Sequence, residues 1–198
     1  MSSRPAVASI CAFVALELPR ALQTAFADHI SRLEKVIPAM RWTDPRKMHL
    51  TLRFLGWTTR ARLDCLEPYL VAAAGACPPI DAVVSGLGTF PPTSGEKARV
   101  LWAGITIPRS ANALQAACES AAIECGFPPE RRVFKPHLTL GRFKTPARVG
   151  ALPKLDLGAT RLENLVLYRT EPAKGETAVA GVRRSVPAYS RLSTYPLG

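Results

Sequence analysis

His49-Leu50-Thr51-Leu52 and His137-Leu138-Thr139-Leu140 are the same tetrapeptide, and the two copies use two of the chain's three histidines. Around the first copy, Met48, Leu50, Leu52 and Phe54 alternate with His49, Thr51 and Arg53. A period of two belongs to a strand with one buried face. The leucines are therefore expected inward, with histidine and threonine side by side on the other face. The second copy repeats the arrangement, with Leu138 and Leu140 inward and His137 and Thr139 outward. Two such strands brought together would surround one small space with two imidazoles and two hydroxyls, a set suited to a phosphate group.

Outward from the motifs, the chain reads as a repeat. Residues 11–18 form a strand, after which Pro19 opens an amphipathic helix on Leu22, Phe26, Ile30, Leu33 and Ile37. Trp42-Thr43-Asp44-Pro45 turns into the first motif strand, which Gly56 closes; a helix at 60–74 and a strand at 80–87 follow. The polar stretch 90–97, with Pro91-Pro92 and Ser94-Gly95, separates the halves. A strand at 100–107 then ends at Pro108, a helix covers 113–125, and the second motif strand spans 133–143. Pro19 precedes His49 by 30 positions and Pro108 precedes His137 by 29, while Phe13 and Trp102 each lie six before their proline. Pseudo-repeat halves at roughly 6–90 and 98–196 follow from these matches. Beyond the second motif come a strand at 162–168, a charged, loop-rich stretch at 169–184 and a closing strand at 188–195. No Gly-rich phosphate loop is present, which disfavours Rossmann and P-loop folds. The expected fold is α+β, a single bilobal domain. Two pseudo-symmetric, mostly antiparallel sheets line a central cleft, with helices on the outer faces.

Composition narrows the partners. With 26 Lys and Arg against 15 Asp and Glu, the formal charge of +11 favours a polyanion, nucleic acid before a membrane surface. The apolar run at 6–16 is too short to span a bilayer and reads as a buried first strand. The five cysteines are odd in number and lack C-x-x-C spacing; three of them sit in apolar helical or strand patterns and read as small buried hydrophobes, and the setting reads as reducing and cytoplasmic. A monomer without membrane attachment is expected.

Two groups that titrate near neutrality on opposite sides of a phosphodiester suit acid–base catalysis. One imidazole takes a proton from the attacking oxygen and the other gives one to the leaving oxygen. Thr51 and Thr139 can hydrogen-bond the non-bridging oxygens, and Arg53, placed on the same face, can neutralise developing charge. That scheme needs no metal and no cofactor. Phe13 and Trp102 occupy matched positions, so one of them is expected to line the cleft and stack on a base. Arg142 falls on the opposite face from His137 unless a bulge intervenes. His29, between Asp28 and Ile30, is an ordinary helix residue.

The residues so far resemble the two-histidine phosphoesterase superfamily, and within it the bacterial RNA 2',3'-cyclic phosphodiesterases of the 2'-5' RNA ligase family. The matching stretches are Phe13-Val-Ala-Leu16, Arg41-Trp42, His49 to Gly56, Gly86 to Phe90, Arg99 to Trp102, Phe134 to Leu140 and the closing Tyr189 to Leu197. The resemblance implies hydrolysis of a terminal 2',3'-cyclic phosphate to a 2'-phosphate, with weak 2'-5' ligation in reverse. It also implies that His49 protonates the departing 3'-oxygen, His137 activates water, Thr51 and Thr139 hold the phosphate, and Phe13 stacks on the base. Cys11 stands where the family often has arginine, Gly141 stands where it has alanine, and 169–184 matches poorly. Two alternatives stay open: a phosphodiesterase of a small cyclic phosphate such as one derived from ADP-ribose, and a non-catalytic binder of RNA ends.

Overall fold

The computed structural model describes residues 9–37, 40–92, 97–171, 178–179, 182–183 and 188–198. Its strands are β1 (Ile10–Glu17), β2 (Met40–Trp42), β3 (His49–Thr58), β4 (Ile80–Phe90), β5 (Ala98–Thr106), β6 (His137–Ala147), β7 (Asp156–Leu162), β8 (Asn164–Glu171), the two-residue pieces β9 (Ala178–Val179) and β10 (Val182–Arg183), and β11 (Ala188–Pro196). Its helices are α1 (Arg20–Val36), α2 (Arg60–Gly75) and α3 (Arg109–Glu124). Pro19 and Pro108 each stand just before a helix, where a missing N–H costs nothing, so α3 begins at Arg109, earlier than its apolar pattern indicates.

Two sheets carry the fold, one ordered β11-β8-β1-β3 and the other β2-β6-β5-β4-β7, and every ladder in them is antiparallel. The halves of the sequence exchange strands. β4, from the first half, pairs with β5, while β8, from the second, pairs with β1. The spatial lobes therefore do not coincide with the sequence halves. α2 packs on α3 and against β8 and β11, α3 packs against β3, and α1 packs against β7. One large apolar cluster joins these layers and takes in Leu50, Leu52, Leu138 and Leu140. Each buried leucine contributes about 1.5–3 kcal/mol, so core packing fixes the phase of both motifs.

Two strands escaped the sequence. β2 is only three residues long, too short for a period to show, and β7 lies at a sheet edge with alternating polar residues and a glycine at positive φ. β3 also does not end at Gly56. That glycine has φ +70°, and the strand bends there and continues to Thr58. Most of 169–184 lies outside the described residues, as do 93–96 of the expected connector; β8 runs into the charged stretch as far as Glu171.

Candidate active site

Both motif strands carry a bulge at the same place. In the β1–β3 ladder, Ala15 pairs with Thr51 and Val14 with Arg53, which leaves Leu52 unopposed. In the β5–β6 ladder, Trp102 pairs with Thr139 and Leu101 with Gly141, which leaves Leu140 unopposed. A bulge inserts one residue and so reverses the in–out phase beyond it. Phe54 is turned out to 50 % exposure, although the alternation placed it with the core. Arg142, five after His137 as Phe54 is five after His49, is likewise exposed and lines the cleft.

A cleft of about 700 Å³ runs along this seam. Thr51 and Phe54 of β3 line it with His137, Thr139 and Arg142 of β6, and Phe134 and Lys135 border it. His49 occupies the same strand face as Thr51, one step along β3. His49 Nδ1 lies 2.8 Å from the Lys47 carbonyl, and His137 Nδ1 lies 2.7 Å from that of Lys135. A carbonyl can only accept, so each Nδ1 donates its hydrogen and each Nε2 is left for other chemistry. Among the described residues neither Thr51 nor Thr139 has a hydrogen-bond partner for its hydroxyl. Repetition of sequence has become repetition of geometry.

Aromatic rings hold both imidazoles. Phe13 stacks on His49 at 4.6 Å, with Tyr189 edge-on at 5.3 Å and Tyr168 at 5.7 Å. Phe90 meets His137 edge-on at 4.9 Å, and Trp102 lies at 6.4 Å. Trp102 lies over Gly88, where any Cβ would fall 2.2 Å from its ring. Phe13 is only 3 % exposed, because His49, Tyr168 and Tyr189 cover it. This corrects its expected part as a base platform: it is the floor beneath an imidazole. Trp102, half-buried, packs with Phe90 and His137, and the most exposed of the aromatic rings lining the cleft is that of Phe54. Tyr189 and Tyr168 reach His49 from distant strands, which no local spacing reveals.

Arg53 needs the second correction. Its backbone position still borders the cleft, but its side chain is not open as those of His49 and Thr51 were expected to be. The bulge turns it inward to 6 % exposure, where its Nε meets Glu119 Oε2 at 2.7 Å. Nη1 donates to the Phe54 carbonyl at 2.8 Å and Nη2 to that of Pro128. Arg142 and Arg132 are the exposed arginines among the described residues that line the cleft. Burial raises the Tyr189 hydroxyl above the usual tyrosine range, and the Arg142 charge pulls it the other way, so those two groups are neighbours.

Burial pushes the His49 imidazole down to about 4; the Lys47 carbonyl opposes that shift and the charge of His137 adds to it. The two rings therefore feel each other across the seam. In the unfolded chain the ordinary value is 6.5. Between those values the unfolded state binds the extra proton, so His49 weakens folding as pH falls from 6.5 towards 4. Melting curves across that window should decline more steeply for the wild type than for His49→Gln; equal slopes would show that His49 is not the group responsible.

The cysteine expectation is also corrected. Cys65 of α2 and Cys125 at the end of α3 form a disulfide with a Cα–Cα distance of 5.8 Å, while Cys11, Cys77 and Cys118 are free. Among the described residues no helix is long and apolar enough to cross a membrane, and no group of three or more His, Cys, Asp or Glu is placed to hold a metal ion. A second hollow of about 770 Å³ lies at the start of α1. It contains no motif residue, and Arg46, Arg161 and Arg191 there are paired with Asp44, Glu163 and Glu17.

The fold is that of the class that the sequence resembles. A profile of the 2'-5' RNA ligase superfamily matches residues 19–171, and the chain belongs to that superfamily. An RNA 2',3'-cyclic phosphodiesterase of Methanothermobacter thermautotrophicus is 29% identical over 171 residues, covering 81% of this chain and 89% of that protein. Another, of Geobacillus stearothermophilus, is 28% identical over 192 residues, which is 93% of this chain and 56% of that longer protein. Among solved structures, a Thermus thermophilus protein superposes with a TM-score of 0.79 at 25% identity, covering 95% of this chain and 98% of that one. E. coli LigT complexed with 3'-AMP gives 0.75 at 22% identity, with 96% and 99% covered.

Proposed function

We propose that the protein hydrolyses the terminal 2',3'-cyclic phosphate of RNA or of a nucleotide to a 2'-phosphate, by acid–base catalysis between His49 and His137. The observation that carries this reading is the matched anchoring of the imidazoles. Each Nδ1 hydrogen is committed to a backbone carbonyl, so each Nε2 is left to take or give a proton. One neutral Nε2 removes a proton from water as its oxygen bonds to phosphorus. The other, protonated, delivers its proton to the 3'-oxygen as the P–O3' bond breaks. Thr51 and Thr139 donate to the non-bridging oxygens, and Arg142 and Lys135 balance the phosphate charge. Phe54 offers its exposed ring to the base. Relatives named as RNA 2',3'-cyclic phosphodiesterases support the same chemistry. No step draws on a metal ion or a cofactor.

The resemblance gives His49 the acid's part. Burial favours the reverse, because it lowers the His49 pKa and so favours the neutral ring that a base must be. The anionic phosphate acts in the other direction, because a negative charge beside the ring favours its protonated form. A monomer working in the cytoplasm, where thiol–disulfide exchange would act on Cys65 and Cys125, completes the proposal.

The test is turnover in EDTA of a cyclic mononucleotide, a cyclic-phosphate-ended oligonucleotide and an ADP-ribose cyclic phosphate, with the product isomer read by phosphorus NMR. Accumulation of 2'-phosphate, fastest on the oligonucleotide, is expected. A 3'-phosphate product would overturn the assigned leaving oxygen. Salt-sensitive binding with no product would make the protein a binder of RNA ends.

A further inference from the structure

We propose that Arg53 and Glu119 are a positioning pair that fixes the first motif strand against the segment leading into the second, and so sets the reach between His49 and His137. Arg53 sits at the β3 bulge, two residues after Thr51, with its guanidinium buried. Its three contacts go to three different places: Glu119 on α3, the Phe54 carbonyl on its own strand, and the Pro128 carbonyl. Pro128 begins the segment in which Arg132, Phe134 and Lys135 form one wall of the cleft and which ends at His137. Glu119 holds the same segment from its other oxygen, since Oε1 accepts from the Glu130 N–H at 2.8 Å. One carboxylate and one guanidinium therefore tie α3, the first motif strand and the entry to the second into a single unit.

The second motif has no counterpart. Its matching position is Gly141, where a Cβ would come within 2.8 Å of the Arg41 carbonyl on β2. Edge strand β2 supports that side directly, and nothing longer than glycine fits between. The bracing is therefore asymmetric although the motifs are symmetric. It also explains why an arginine that borders the cleft spends its guanidinium on protein groups. Two of its five N–H donors are bonded to backbone carbonyls and Nε is in ion-pair contact with Glu119, which leaves fewer of them for substrate.

The proposal rests on the cyclic-phosphodiesterase reading above, so wild type and His137→Ala are assayed beside the brace variants. Turnover by the first and its collapse in the second uphold that reading whatever the brace does. Glu119→Gln is expected to lower kcat by roughly 10- to 100-fold with KM changed less than about threefold, the signature of misplacement, not of lost binding. Arg53→Lys should behave alike, because an ammonium keeps the charge but cannot serve the three acceptors at once. If Arg53→Lys raised KM and left kcat alone, Arg53 would be a substrate ligand and the proposal would fail. Wild-type kcat in Glu119→Gln would equally overturn it. Since a lone buried charge can unfold a chain, Arg53→Met with Glu119→Leu is the control. With both charges removed, the melting temperature should recover towards wild type while kcat stays low. A kcat that recovered along with stability would reduce the pair to a structural one.

Discussion

Replacing either His49 or His137 with alanine should lower kcat on a 2',3'-cyclic nucleotide by on the order of 10²- to 10⁴-fold, the share that a positioned proton donor or acceptor contributes. The double variant should be little worse than the poorer single one, because an acid and a base that serve one transition state fail together. Substrate chemistry then tells the two apart. A substrate whose departing 3'-oxygen is replaced by sulfur leaves without help from an acid. It should restore turnover to the alanine variant of whichever histidine is the donor, and leave the other variant slow. Rescue of His49→Ala would support the assignment that the resemblance implies. Rescue of His137→Ala would give the donor's part to His137, in keeping with the low pKa of His49. Near-normal turnover in either variant on the ordinary substrate would end the paired mechanism altogether.

The second large effect concerns Cys65 and Cys125. Their bond closes a loop with a sequence separation of 60, and restricting the unfolded chain in that way is worth about 2–4 kcal/mol. Cys65→Ser, or reduction of the native protein, should lower the melting temperature by roughly 5–15 °C for a domain of this size. Cys65 is exposed, so a reductant reaches the bond without prior unfolding. Thiol titration of the denatured, unreduced protein should count the three free cysteines Cys11, Cys77 and Cys118, and after reduction all five. Five thiols before reduction would mean that the bond does not form.

Where the core face dictated the pattern, the sequence could be read directly. Leu50, Leu52, Leu138 and Leu140 are buried as their alternation requires, and that alone turns Thr51, His137 and Thr139 towards the cleft, with His49 on the strand face of Thr51. Reading failed where a single inserted residue changed the phase. The bulges at Leu52 and Leu140 leave no compositional trace, yet they send Arg53 inward and turn Phe54 and Arg142 out. It failed again wherever the informative contact was distant in the chain. Tyr189 reaches His49 only because β11 joins β8 and β8 joins β1, and Cys65 finds Cys125 only because α2 lies on α3. Periodicity reports which way a side chain faces; it says nothing of what arrives from elsewhere to meet it.

Because β8 and β11 complete the sheet that begins with β1 and β3, the surroundings of His49 are finished last during synthesis. A nascent chain that has released both tetrapeptides still lacks the two tyrosines that enclose the first imidazole, and β1 still has one open edge. Closing so remote a pairing is slow compared with forming a helix or a hairpin. The enclosure of His49 therefore arrives with β11, well after both tetrapeptides have left the ribosome.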